Sequence, residues 1–554
     1  MVFHSPYPAI AELPAQDLPS FVFEYADKYS LFGRNPELVA LSEGSVSLTF
    51  AELRQTASRF ASGLINNLKL QRGDIILVLL PNTVYYASIV LGAQMAGLVC
   101  TTANPEYIES EVAHVMGICK PQAIITVVAN VALVQGSLLV SGVVVPRERI
   151  LTLDGGPEDN FTVILSDQPY EQMRITTQKE AQETPAFIVL SSGTTGLSKG
   201  VVLSHSNVIA NMLQNTIVEE YDSRVCLANI TIKNRALISC LPCFHIYGLV
   251  IMLLYSVAKG HHQVVMPKYD LELFCQLVAK HKAASAHLVP PIIIQLAKNP
   301  IVNNYDLSSL VYILSGAAPL TNETQSEIQR QLGCHVMQAY GMSEASPVTH
   351  RGPTDGVPVG SVGYLLPSMQ CKIIDDQGNE LGVGEAGEIC TRGPNIMLGY
   401  LNDPQATAQT IDKDGFIHSG DIGYANSRGC YFISDRKKEL IKYKAFQIAP
   451  AEIEGILVAH PAVLDAAVIP VFDHAQETEV PKAFVVIRPG LMHPGIADEV
   501  KVWLASRVVH YKTLRGGVEV IDFIPKTASG KILRRVLKER EVAKLKQQSL
   551  WPKL

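Results

Sequence analysis

The stretch FIVLSSGTTGLSKGVVLSH occupies residues 187–205. Its ends, FIVL (187–190) and VVLSH (201–205), are apolar runs that read as buried strands. Between them SSGTTGLSKG (191–200) carries three serines, two threonines, three glycines and one lysine, with almost nothing to contribute to a core. Backbone N–H groups, hydroxyls and a single ammonium are what a polyphosphate needs. The loop is not the GxxxxGK[ST] type, because position 198 is Ser and position 200 is Gly. A bare Gly/Ser loop would read as a surface turn, but one set between two apolar strands with two threonines and a lysine points to a ligand.

Outward from this loop the same strand-and-helix texture recurs. VSLTFAEL holds Thr49 and Glu52 at capping-box spacing. Leu53, Ala57, Phe60, Ala61, Leu64 and Ile65 then fall on one helical stripe. The turn RGD (72–74) leads into the apolar strand IILVLLP (75–81). Units of this kind continue to about residue 340 and predict layered α/β architecture with mainly parallel sheets. From 356 to 434 the short glycine-rich segments GEAGEICTRG and KDGFIHSGD predict a β-rich subdomain. The texture changes at DRKKELIKYK (435–444). Beyond it, AEIEGILVAHP and ADEVKVWLASRVV read as helices, and VLDAAVIPV, KAFVVI and VEVIDFIP as strands. The expected division is therefore a large N-terminal part, 1–434, and a small α+β C-terminal domain, 435–554.

At 554 residues the chain exceeds a single core. Its 47% hydrophobic and 18% charged residues are ordinary for a globular enzyme, and a net charge of −6 argues against a general nucleic-acid binder. Ten scattered cysteines form no secretory framework. MVFHSPYPAIAELP lacks the basic start and apolar run of a signal peptide. The apolar stretches 85–100, interrupted by Gln94 and two glycines, and 244–258 fall short of the roughly 20 apolar residues of a membrane span. Both read as core helices, and the protein as soluble and intracellular. Cys240-Leu-Pro-Cys243 has CxxC spacing without a second such pair, so it reads as core thiols. RRVLKEREVAKLKQQ reads as an exposed C-terminal helix rather than a nucleic-acid arm.

Four later stretches, QAYGMSEAS (338–346), HSGDIG (418–423), DRKKELIKYKAFQIAPAEIE (435–454) and PKTASGKILRR (525–535), follow the opening loop in fixed order. Together they closely resemble the adenylate-forming acyl- and aryl-CoA ligases, the superfamily that includes 4-coumarate–CoA ligases and beetle luciferases, from about residue 45 to 540. The resemblance implies an ATP-dependent acid–thiol ligase. It would activate an aromatic or medium-chain carboxylic acid as acyl-AMP, releasing pyrophosphate, and pass the acyl group to coenzyme A. The physics agrees. A carboxylate is a poor electrophile until it acquires a good leaving group, and holding two anions together is a task of positioning and electrostatics.

By similarity, Ser191, Ser192, Gly193, Thr194, Thr195, Gly196 and Lys199 wrap the phosphates of ATP. Ala318, Ala339, Tyr340, Gly341 and Ser343 border the nucleotide, with Tyr340 against the adenine. Asp421 accepts from the ribose hydroxyls and Arg436 stands beside them. Glu344 resembles the Mg²⁺ ligand. Lys531 matches the mobile lysine that bridges carboxylate and α-phosphate. The C-terminal domain of this superfamily swings about a hinge, here near 435–438. That motion brings Lys442, Lys444, Ala445, Phe446 and Gln447 to the thiolation site in place of Lys531. His245 would gate the acyl pocket, walled by Ile246, Tyr247, Ala317, Ala339, Pro347 and Val348, with Tyr247 meeting a ring substituent.

Two positions depart from the family pattern. Ala339 and Ala445 each stand where glycine is usual, which narrows the pocket floor and the approach of coenzyme A. Rival readings are a luciferase-like oxygenase, an adenylate-forming enzyme with another acceptor, and a non-catalytic binder; Lys199, Glu344, Asp421, Arg436 and Lys531 disfavour the last. The chain ends Pro552-Lys553-Leu554, which matches two of the three positions of the peroxisomal address. Import through the receptor for that address is expected, with a cytoplasmic location as the alternative.

Overall fold

The computed structural model describes residues 1–29, 35–156, 160–191, 198–225, 236–354, 356–444, 446–473, 476–527 and 530–549. Ser192, Gly193, Thr194, Thr195, Gly196 and Ala445, and the C-terminal Pro-Lys-Leu, lie outside them. The capping box closes as its spacing requires. Glu52 N donates to Thr49 Oγ1 at 3.1 Å and Thr49 N donates to the Glu52 carboxylate at 2.8 Å. The helix so started, Phe50–Asn66, buries Leu53, Ala57, Phe60, Ala61 and Leu64, while Ile65 sits half-covered at the stripe's edge. It lies against the wholly buried helix Tyr86–Met95. Gly92 permits that approach, since a Cβ there would stand 2.5 Å from the Ala57 carbonyl oxygen. The run 85–100 is thus core.

Two large sheets form the body. In the seven-stranded sheet Pro185–Ser191, Val99–Thr102, Ile75–Val78, Ala123–Thr126 and Ile150–Thr152 run parallel in that order, and the antiparallel strands Lys199–Ser204 and Gly399–Tyr400 extend the Pro185–Ser191 side. In the nine-stranded sheet a parallel centre passes through Ala236–Ser239, Ser285–Leu288, Tyr312–Ser315 and His335–Gly341, then turns antiparallel at Val348–Arg351. A five-stranded antiparallel sheet holds Gln370–Ile374, Gly387–Arg392, Ile417–Ala425 and Tyr431–Arg436, where the β-rich texture predicts it.

The chain beyond it builds a separate core of Ile453, Leu457, Val468, Val485, Val500 and Leu504. The C-terminal helix Arg534–Ser549 is not simply exposed. Leu537 is buried, and Lys482 pairs with Glu541, so the helix is fastened to the sheet of Val463–Asp473 and Thr478–Ile487. The run 244–258 becomes helical from residue 246 and is wound as a π-helix over Tyr247–Tyr255, a form that recurs near functional sites. No helix among the described residues is long and apolar enough to cross a membrane. The nine described cysteines are free and buried, Cys240 and Cys243 among them.

Candidate active site

The nine-stranded and five-stranded sheets meet at Asp421. It sits on Ile417–Ala425 directly opposite Arg436 in the antiparallel register. Arg436 Nε stands 3.4 Å from Asp421 Oδ1, and Tyr340 Oη, at the end of His335–Gly341, donates to Oδ2 at 2.6 Å. Burial nonetheless raises the Asp421 carboxyl above its ordinary range, the Arg436 charge and Tyr340 hydroxyl opposing. A carboxylate offers about four lone-pair positions. The Tyr340 hydroxyl takes one of them and Arg436 approaches as an ion pair, which leaves capacity on the two oxygens for a diol. The resemblance assigns Tyr340 its ring face; its hydroxyl also holds Asp421.

Glu344 follows in the single 3₁₀ turn Ser343–Ala345. Tyr400 Oη donates to Glu344 Oε1 at 2.8 Å, and the Lys199 ammonium lies 4.8 Å above the centre of the Tyr400 ring. This ties Lys199, at the exit of the hydroxyl-rich loop, to Glu344 through a residue the motifs do not single out. Ser191 and Lys199 are register partners across the same pair of strands. One buried carboxylate linked through Tyr400 to Lys199 fits a divalent cation such as Mg²⁺, which favours one or two carboxylates together with phosphate oxygens.

Lys531 reaches this place from the C-terminal core. Burial, and then the Arg436 charge, lower its ammonium to about 8, against the pull of Glu439, Asp421 and Glu344. His245 is depressed to about 4, first by burial and then by Lys531. Lys531 therefore lies within electrostatic range of Asp421, Glu344, Arg436 and His245. The preceding Gly530 lies against the helix Pro290–Lys298, where a Cβ on it would lie 3.1 Å from Pro291. Lys298 Nζ donates to the Val458 carbonyl at 2.7 Å from the same helix. Three residues after Lys531, Arg534 is clamped by Glu439 and Glu454 at 2.6 and 2.7 Å.

The apolar residues expected near His245 are covered to differing degrees. Ile246 and Val348 are buried, and Pro347 with them. Ala339 and Ala318 are partly covered, and Ala317 is exposed with φ +71°. Gly248 lets the chain turn there, because a Cβ would fall 2.1 Å from the Pro242 carbonyl oxygen. Tyr247 departs from expectation. Its hydroxyl is bound at 3.2 Å to His287 Nδ1 and at 3.3 Å to the Leu314 carbonyl, and its ring presses on Gly316. Its hydroxyl is therefore engaged within the protein. His287, missed in the motif reading, was visible only as a lone polar residue in AHLVPP.

Lys442, Lys444, Phe446 and Gln447 are not with these groups. They form the hairpin Ile441–Tyr443/Phe446–Ile448, where Lys442 faces Gln447. The hairpin is held by Thr478 and Glu479, and the Phe446 ring stacks on Tyr511 at 4.2 Å. Lys442, Lys444, Phe446 and Gln447 are all exposed. A cavity of about 550 Å³ lined by Phe23, Phe50, Arg54, Arg59 and Tyr170 contains none of the converging groups and is not the candidate site.

Comparison with known proteins accords with this geometry. The sequence profile of the AMP-binding enzyme family matches residues 31–401, and that of the AMP-binding enzyme C-terminal domain matches 452–531. A probable 4-coumarate–CoA ligase 1 of Dictyostelium discoideum and the 4-coumarate–CoA ligase of Pinus taeda are each 37% identical, over 98% of this chain and 98% of theirs. The crystal structure of ATP-bound MatB from Rhodopseudomonas palustris superposes with a TM-score of 0.81 at 26% identity, covering 94% of this chain and 98% of the other.

Proposed function

The chain belongs to the AMP-binding enzyme family, and from that premise we propose that it is an AMP-forming ligase joining a hydrophobic aromatic or medium-chain carboxylic acid to coenzyme A. The observation that carries the reading is the convergence of Lys531, from the C-terminal core, on Asp421, Glu344 and His245. In the first half-reaction a carboxylate oxygen of the acid bonds to the α-phosphorus of ATP. The bond from that phosphorus to the pyrophosphate oxygen breaks. Asp421 and Arg436 hold the ribose, Lys199 meets the outer phosphates, and the Lys531 ammonium spans the two reacting anions. Fixed charges of this kind need no reorganisation as the negative charge shifts. Glu344 would hold Mg²⁺, which when bound neutralises phosphate charge. His245, kept neutral by burial, borders the acid without adding a charge to an apolar pocket. In the second half-reaction the thiol sulfur of coenzyme A bonds to the acyl carbon, the bond to AMP breaks, and the thiol proton passes to solvent. Lys442 and Gln447 serve this step once the C-terminal unit has turned near 435–438.

The test is a panel of carboxylic acids assayed for AMP release with and without coenzyme A. Hydroxycinnamic and medium-chain acids should give turnover that requires the thiol; turnover that needs O₂ instead would establish the oxygenase reading. Tyr340→Phe removes a donor to a charged acceptor, a bond worth about 1.5–3 kcal/mol. It is expected to raise KM for ATP by roughly tenfold with kcat nearly unchanged, as steady-state kinetics would register. The terminal Pro552-Lys553-Leu554 supports a peroxisomal location, which fusing the last dozen residues to a fluorescent reporter would test.

A further inference from the structure

We propose that Glu388, Cys390 and His418 form a binding site for one borderline-soft divalent cation of the zinc class, outside the ligase site. Glu388 and Cys390 are two apart on Gly387–Arg392, at an irregularity in its pairing with Ile417–Ala425, and their ligand atoms lie close together. His418, on the neighbouring strand, is the register partner of Cys390. Cys390 Sγ lies 3.6 Å from His418 Nδ1, which in turn lies 3.9 Å from Glu388 Oε1. The three ligand atoms all fall within 4.8 Å of one another. A tetrahedral shell with ordinary zinc–sulfur and zinc–nitrogen bonds places those two atoms about 3.6 Å apart. A small rotation of the Glu388 carboxylate completes three protein ligands, leaving a fourth position for water.

The surroundings match that use. The other ring nitrogen, His418 Nε2, faces Asp412 Oδ2 at 3.5 Å. An outer carboxylate of this kind orients a metal-bound imidazole and fixes its tautomer. Asp412 is itself held by Lys372 Nζ at 2.6 Å and by the backbone N–H groups of Asp414 and Phe416. Lys437 sits 2.9 Å from Asp376 and 3.5 Å from Glu388. Glu388, Asp412 and Asp376 against Lys372 and Lys437 leave one net negative charge, and a metal-bound thiolate adds a second. The cluster thus balances a dication. Glu388 Oε1 also accepts from Gly420 N at 3.0 Å, so a bound ion would tie the two strands together next to Asp421.

The chelator-treated full chain, kept reduced, should be titrated with Co²⁺ as the spectroscopic stand-in for Zn²⁺. One equivalent is expected to produce tetrahedral visible bands and a sulfur-to-cobalt charge-transfer band, both removed by Zn²⁺ and retained in excess Mg²⁺. Cys390→Ser should abolish the charge-transfer band. His418→Gln, at a partly exposed position that leaves the sheet's packing intact, should weaken Co²⁺ binding by at least about tenfold. Absence of the band in the parent chain would overturn the proposal, as would its survival in Cys390→Ser or its loss in Cys243→Ser.

Discussion

Replacing Lys531 with alanine is expected to slow acyl-adenylate formation by about 10²–10³-fold, the usual cost of one electrostatic donor, while transfer of a supplied acyl-AMP to coenzyme A stays close to the parent rate. The split follows from where the residue stands. Its ammonium is acted on by the charges of Arg436, Asp421 and Glu344 and in turn depresses His245, whereas the hairpin bearing Lys442 and Gln447 is anchored on Thr478 and Glu479. Pyrophosphate exchange measures the first half-reaction, and thioester formation from synthetic acyl-AMP the second. Equal loss of both would mean that Lys531 supports the fold rather than the first step.

The same residue sets a pH dependence. Its folded value, about 8 instead of 10.5, means the charged form is disfavoured by burial and by Arg436. Below pH 8 the ammonium is present and can span the two anions; above it the amine prevails and adenylation falls. The limb should appear near pH 8 in kcat/KM, which reports the free enzyme. In kcat it should lie higher, because bound triphosphate restores the proton. Lys531→Arg keeps its charge across this range but lacks the compact, rotatable head of lysine. It should therefore be slower yet lack the alkaline limb.

Local chemistry was readable from the chain, and pairings over long separations were not. The Thr49–Glu52 box is a four-residue pattern and closes as read. Asp421 and Arg436 lie in motifs whose register brings them face to face. Tyr400 carries no such mark, since GPNIMLGYLN becomes informative only when its strand pairs with Val201 and its hydroxyl meets Glu344. The Tyr247 hydroxyl could not be assigned to His287 without the strand order that joins them. Apolar periodicity predicts a helix through 247–255 but does not distinguish i→i+4 from i→i+5 winding, because every face there is buried. The charges that act on Lys531 come from Arg436, Glu439, Asp421 and Glu344, all supplied by tertiary packing.

The buried charge beneath the site supports the second large effect. Arg351 ends the strand Val348–Arg351, pairs in register with Ala339, and has a side chain only 2% exposed. Its Nη1 lies 3.3 Å from Glu219 Oε1 and 3.3 Å from Asn215 Oδ1. Glu219 also accepts from Tyr255 Oη at 2.8 Å and faces Lys259 at 3.5 Å. Burial alone would raise the Glu219 carboxyl, but Lys259 and Arg351 overcome it and hold it at about 2. Glu219→Gln leaves a guanidinium in the core without its main counter-charge, a change that typically costs about 3–5 kcal/mol. The amide still accepts a hydrogen bond, which places the expected loss at the lower end, and unfolding of the N-terminal part should fall by several degrees in a calorimetric scan. The sign with pH follows from the depressed carboxyl. Its contribution is complete above the unfolded value near 4.5 and is lost as pH falls towards 2. The gap between the parent chain and Glu219→Gln should therefore be constant from neutral pH down to about 5 and narrow below it. A gap independent of pH down to 3 would show that the pair contributes through shape and hydrogen bonding, not through its charge.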